Sequence, residues 1–154
     1  MAGGGSAYSY RVGRTTMATT NIAATAADRT YRFTAPSLAD TPRLAREWVA
    51  LILRAAGLAH LVDRARLCTS EVVTNAHRHT DTPEIAVELV LLGGRVTVYV
   101  SDCAPGRWPT SGGGDSRPGR LDTHGRGLAL VAAYADDWDV SARPDRKAVW
   151  FRLA

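Results

Sequence analysis

Residues 71–102 read EVVTNAHRHTDTPEIAVELVLLGGRVTVYVSD, and the period of the apolar residues changes inside that stretch. Upstream of His79, Val72 and Ala76 continue a stripe begun by Ala65 and Cys68, which is helical spacing. A helix is therefore predicted from Val62 to about His79, ended by Thr80, Asp81 and Pro83. Beyond it, Glu84–Leu92 and Arg95–Ser101 are rich in valine and leucine, and Val96, Val98 and Val100 alternate strictly, as strands do. Gly93-Gly94 joins the two strands with residues that accept the positive φ of a two-residue hairpin turn.

The same reading extends outward. Thr30–Ala35 alternates aromatic and polar residues and predicts a short strand. Thr41 is expected as the N-cap of a first helix, with Pro42 at its first position. Leu44, Trp48, Leu51, Ile52 and Ala55 supply the apolar stripe of that helix, and Gly57 stops it. From Cys103 to Thr123 apolar residues give way to Gly, Pro, Ser and Arg, so a lid is expected over about 103–124. Gly125–Ala135 resumes as a helix with Leu128, Val131 and Ala132 on one side. Trp138–Ala142 and Ala148–Leu153 then flank Arg143-Pro144-Asp145-Arg146, a second hairpin. The order predicts an α/β fold: a two-layer sandwich with helices on one face of a mixed, mostly antiparallel sheet. The domain is assigned to residues 31–154. Residues 1–30, rich in Gly, Ala, Ser and Thr without a sustained apolar period, read as a disordered or appended tail.

Composition narrows the function. A chain of 154 residues, 45% of them hydrophobic, suffices for one domain with its own core. No apolar run approaches the roughly 20 residues that span a bilayer, so no membrane-spanning helix is expected. Two cysteines, Cys68 and Cys103, are too few for a disulfide scaffold or a four-cysteine zinc site. The net charge of +4 is spread along the chain, and Lys147 is the only lysine among 19 basic residues, so the arginines reflect a coding bias rather than a binding stripe. Direct nucleic-acid binding is not expected.

Three segments carry chemistry. Glu71, Asn75 and His79 lie four apart and line one helix face, beside the Val72 and Ala76 stripe. An acid and an amide one turn apart suit a divalent cation beside a phosphate, because Mg²⁺ keeps its waters and takes one or two protein oxygens. A glutamate left off the metal is free to accept a proton. The plainer reading is an exposed polar face. His77 and His79 are two apart and do not form the i, i+4 zinc pair of a metalloprotease. Asp102 ends a strand, followed by Cys103-Ala104-Pro105-Gly106. Its acceptor-only carboxylate matches an exocyclic amine such as that of adenine, although aspartate also opens ordinary turns. His124-Gly125-Arg126-Gly127-Leu128 opens a helix, where free backbone N–H groups and an arginine suit phosphate oxygens. A flexible hinge is the competing reading there.

In this order the segments resemble the GHKL ATPase superfamily, and more closely its small anti-sigma-factor serine/threonine kinase branch. Glu71-x3-Asn75-Ala76-x2-His79 matches the N box, Asp102-x3-Gly106 the first glycine box, and Gly125-Arg126-Gly127 the second, over roughly Tyr31 to Leu153. The resemblance implies ATP and Mg²⁺ as cofactors, with Asn75 coordinating the metal and Glu71 as catalytic base. It implies that Asp102 bonds the adenine, that Gly106 shapes that pocket, and that Gly125, Arg126 and Gly127, with His79 and Leu128, contact the nucleotide. Ala104 departs from the pattern, since many members have glycine there. The implied protein is a cytoplasmic, stand-alone homodimer whose partners are a sigma factor and an anti-anti-sigma antagonist of the STAS type. The alternative is a non-catalytic ATP-binding module that sequesters a protein partner.

Overall fold

The computed structural model describes residues 28–102, 126–142 and 146–154, without the side chains of Arg126 and Ala142. The expected lid and Gly106, Gly125, His124 and Arg143–Asp145 lie outside the described residues. The chain runs β1 (Arg29–Pro36), α1 (Thr41–Ala55), a 3₁₀ turn (Ala59–Leu61), α2 (Val62–His79), β2 (Glu84–Leu92), β3 (Arg95–Asp102), α3 (Arg126–Tyr134), β4 (Asp137–Ala142) and β5 (Lys147–Leu153). The first strand thus begins at Arg29, earlier than its aromatic alternation suggested.

The five strands form one sheet in the order β1-β2-β3-β5-β4. All four pairings are antiparallel, so the parallel pairing that a mixed sheet allows is not found among the described strands. Strict alternation buries Ile85, Val87, Leu89, Val96, Val98, Val100, Val149, Phe151 and Leu153 on one face, where the helices pack. Gly93 and Gly94 take φ of +57° and +79° in the hairpin between β2 and β3.

The first helix departs from expectation at its start and along its face. Thr41 is already helical; the capping position is Asp40, whose side chain makes no capping bond. The Thr41 hydroxyl is committed elsewhere: it donates to the Pro36 carbonyl at 2.6 Å and accepts from the Leu38 N–H at 3.2 Å, closing the turn from β1. Pro42 still sits in the first turn, where its missing N–H costs nothing. The buried face comprises Ala45, Val49, Ile52 and Leu53, whereas Leu44 and Leu51 are 43% and 65% exposed. Small residues let α1 approach the core closely, which turns the bulkier leucines outward. Ile52 belongs to both the expected stripe and the buried face, and Trp48 is half-buried with its ring 5.5 Å from Phe33. At the far end the Leu58 N–H bonds the Leu53 carbonyl and the Gly57 N–H that of Arg54, a Schellman closure.

The α2 stripe is as read from sequence: Ala65, Cys68, Val72 and Ala76 are all buried. Burial pushes the Cys68 thiol up to about 11, so it stays protonated and inert.

Candidate functional site

The acid and the amide of α2 are placed by their own helix and covered by another. With Val72, Val73 and Ala76 facing the core, Glu71 and Asn75 fall on the adjacent, half-buried side of α2. There the first turn of α3 lies across them. A methyl group built on Gly127 would stand 2.9 Å from Glu71 Oε2, 3.1 Å from Asn75 Nδ2 and 3.4 Å from Asn75 Oδ1. Only a residue without Cβ brings backbone that near to both side chains. Three of the sequence-expected residues, Glu71, Asn75 and Gly127, are thereby in one place, at the N-terminal end of a helix, where the helix dipole favours anions.

The position of α3 is fixed from its other end. Arg64, two helical turns before Glu71, donates from Nε to the Tyr134 carbonyl at 2.8 Å and from Nη2 to Asp136 Oδ1 at 2.7 Å. Asp136 Oδ2 accepts the Ala154 N–H at 2.6 Å. The Arg64 hydrogen bond, with that from Ala154, holds the Asp136 carboxyl below its usual range.

The C-terminal end of α2 is tied down as well. Ser37 Oγ and His77 Nδ1 are 3.0 Å apart, the Ser37 N–H donates to the Pro83 carbonyl at 2.9 Å, and Thr80 Oγ1 donates to the Ala76 carbonyl at 2.6 Å. His77 therefore links α2 to the β1–α1 turn. His79, also on the sequence-expected stripe, is exposed at the last residue of α2.

Asp102 ends β3 at the end of the sheet toward which α2 runs, because the short connection after His79 starts β2 opposite it, with Ala86 paired to Ser101. The carboxylate is not at the surface: Asp102 is 3% exposed. Directly across the ladder stands Lys147, 4% exposed, with Nζ 3.5 Å from Asp102 Oδ2. Sequence reasoning missed this lysine, although a lone lysine opening a strand in an arginine-only chain was a visible signal. Leu128 is buried, with its side chain in the core cluster. Arg126 begins α3, with its side chain outside the described set.

The residues present fit a phosphate-bound divalent ion. Asn75 presents an amide oxygen beside a carboxylate and a helix N-terminus, a donor set for an ion that takes its remaining ligands from water and phosphate. Among the described residues no cluster of three or more His, Cys, Asp or Glu forms a self-sufficient metal cage.

Comparison with known proteins agrees with this architecture. A family described as "Histidine kinase-like ATPase domain" matches residues 35–153. No curated protein matches the chain. Among solved structures, the chain is similar to the RsbU and RsbW domains of Rv1364c from Mycobacterium tuberculosis, with a TM-score of 0.60 and 19% identity. That alignment covers 80% of this chain and 32% of the other, so the chain spans about a third of the length of the structure it matches.

Proposed function

The chain belongs to the histidine kinase-like ATPase domain family, and from that premise we propose that it is an anti-sigma factor and ATP-dependent serine/threonine kinase. Its substrate is an anti-anti-sigma antagonist of the STAS type. ATP is the ligand that family membership implies. The observation that supports the reading is the seating of Gly127 on Glu71 and Asn75, which brings a carboxylate, an amide and the first turn of α3 together.

Asn75 would hold Mg²⁺ through its amide oxygen. Bound there, the ion neutralises charge on the terminal phosphates. Glu71 accepts the proton of the attacking serine or threonine hydroxyl. The hydroxyl oxygen bonds to the γ-phosphorus as the bond to the bridging oxygen breaks, and ADP leaves in line. N–H groups of the first turn of α3 face the phosphate oxygens. Asp102 accepts from the adenine 6-amino group, while Gly106, Gly125 and Arg126 complete the nucleotide contacts that the resemblance implies. Phosphate added to the antagonist places negative charge at its docking surface and dislodges it. The freed protein, acting as a cytoplasmic homodimer, then holds its sigma factor.

The test is transfer of label from γ-labelled ATP, with Mg²⁺, to candidate STAS partners. Glu71→Gln is expected to slow transfer by about 100-fold or more, the usual contribution of a general base. Transfer unchanged in Glu71→Gln removes that glutamate as base. ATP binding with no transfer to a physiological antagonist favours the alternative, a module that sequesters its partner without chemistry.

A further inference from the structure

The helices cover one face of the sheet, and the register of the five strands gives the other face a relief of its own. Thr34, Ala86, Ser101, Ala148 and Ser141 stand abreast in one row that crosses all five strands, and none is larger than threonine. In the next row stand Arg32, Glu88, Tyr99 and Trp150, all large and all but Arg32 half-buried, with the Tyr99 and Trp150 rings 6.3 Å apart. A trough of small side chains therefore runs beside a ridge of large ones, and Glu84 and Arg146 wall the trough on its far side. Charge on the ridge is already matched: Arg32 bridges Glu88 at 2.9 Å, and Arg152, one row further, bridges Asp137 at 2.7 Å.

We propose that this face seats a second copy of the chain, sheet against sheet, with the ridge of each copy lying in the trough of the other. The inference deepens the homodimer of the functional reading by giving its interface a place, and rests on that reading only for the number of copies. A twofold axis in the plane of contact, parallel to the two rows and midway between them, exchanges ridge and trough. It sets Tyr99 of one copy over Ser101 of the other, and Trp150 over Ala148. The strands of both copies stay aligned, as in sandwiches whose sheets pack about 10 Å apart. Interfaces are packed as densely as interiors, so a trough needs a ridge of matching spacing, and the same face carries one. Five strands about 4.8 Å apart, described over about seven residues each, offer roughly 500 Å² per copy in projection. Two such faces reach the total of about 1,000 Å² that a specific contact requires. With its ridge charges paired within each copy, the face meets its twin without strong repulsion, although the chain as a whole carries +4.

The experiment is sedimentation of the full chain and of variants on either layer, with melting curves to show that each variant is folded. The unaltered chain is expected to be a dimer at tens of micromolar. Ala148→Trp fills the trough and Trp150→Ala removes the ridge, and each is expected to weaken dimerisation at least about 30-fold. Combining the two exchanges ridge for trough at that column, so the double variant is expected to recover to within about tenfold of the unaltered chain. Mere damage to the sheet would not be repaired in this way. Leu51→Glu, in the helical layer, is expected to leave this dimer as it is. An unaltered chain that is monomeric at tens of micromolar overturns the proposal without any variant. So does a dimer indifferent to Ala148→Trp or dissociated by Leu51→Glu, and so does a double variant no better than its singles. Transfer of label from ATP, measured on the same samples, keeps the two readings apart: a sheet-face dimer that transfers none strikes at the kinase and leaves the interface standing.

Discussion

Gly127 has no room for a side chain, and this makes it the most informative single position in the chain. A methyl 2.9 Å from Glu71 Oε2 and 3.1 Å from Asn75 Nδ2 forces either those side chains or α3 itself to shift. Alanine is otherwise the better helix former by up to about 1 kcal/mol. Gly127→Ala is therefore expected to leave the melting temperature within a few degrees while ATP affinity, read by calorimetry, falls at least about tenfold. Unaltered affinity would mean that nothing the ligand needs lies under that glycine. Thr69 makes a contrasting case. It is fully buried on α2, and its hydroxyl has no hydrogen-bond partner among the described residues. Thr69→Val removes an unpaired polar atom at nearly constant shape, and urea denaturation is expected to show a gain of about 1 kcal/mol. The Glu71–Asn75 stripe was legible from spacing alone because helical geometry is local. The Asp102–Lys147 pair was not, because it depends on the register between β3 and β5, which the sequence does not state.

At the scale of elements, the orientation of α3 against α2 is what assembles the site, and Arg64 governs it from a distance. Its hydrogen bonds to the Tyr134 carbonyl and Asp136 anchor the C-terminal end of α3. Arg64→Ala is expected to loosen α3, speeding amide exchange over Leu128–Tyr134 and weakening ATP without touching it. Equal exchange in variant and parent would show that packing alone sets the helix. The same tie has a pH sign. The Asp136 carboxyl is held below its usual value, so its contribution is present above about pH 4 and is lost as pH falls through the lowered value. Asp136→Asn should therefore flatten stability against pH on the acid side only. Periodicity located the five strands and three α-helices described, but not the 3₁₀ turn at Ala59–Leu61, and it misjudged much of the face of α1. That helix is apolar on two sides, and the choice fell to Ala45 and Val49 because they admit closer packing than Leu44 or Leu51. Its start was misjudged for a related reason, as the Thr41 hydroxyl closes the preceding turn instead of capping the helix.

For the whole molecule, the sheet is a single antiparallel layer backed by helices on one face, and this class was readable from the switch between periods 3.6 and 2. Strand order was not, since β5 inserting between β3 and β4 is a matter of tertiary pairing. That insertion is also what delivers Lys147 to Asp102. If the proposed homodimer is built on the outward leucines of α1, Leu51→Glu is expected to yield a monomer by sedimentation with the fold intact. A dimer that persists would put the interface elsewhere. The central claim, that Asn75, Glu71, Asp102 and the start of α3 form one ATP site, predicts ligand-linked stability. The most direct test is the melting temperature with and without millimolar MgATP. At a hundredfold excess over Kd, binding adds about 2.7 kcal/mol, a rise of several degrees. The account predicts that rise in the parent chain and its loss in Asn75→Ala; a parent melting curve indifferent to MgATP would contradict it.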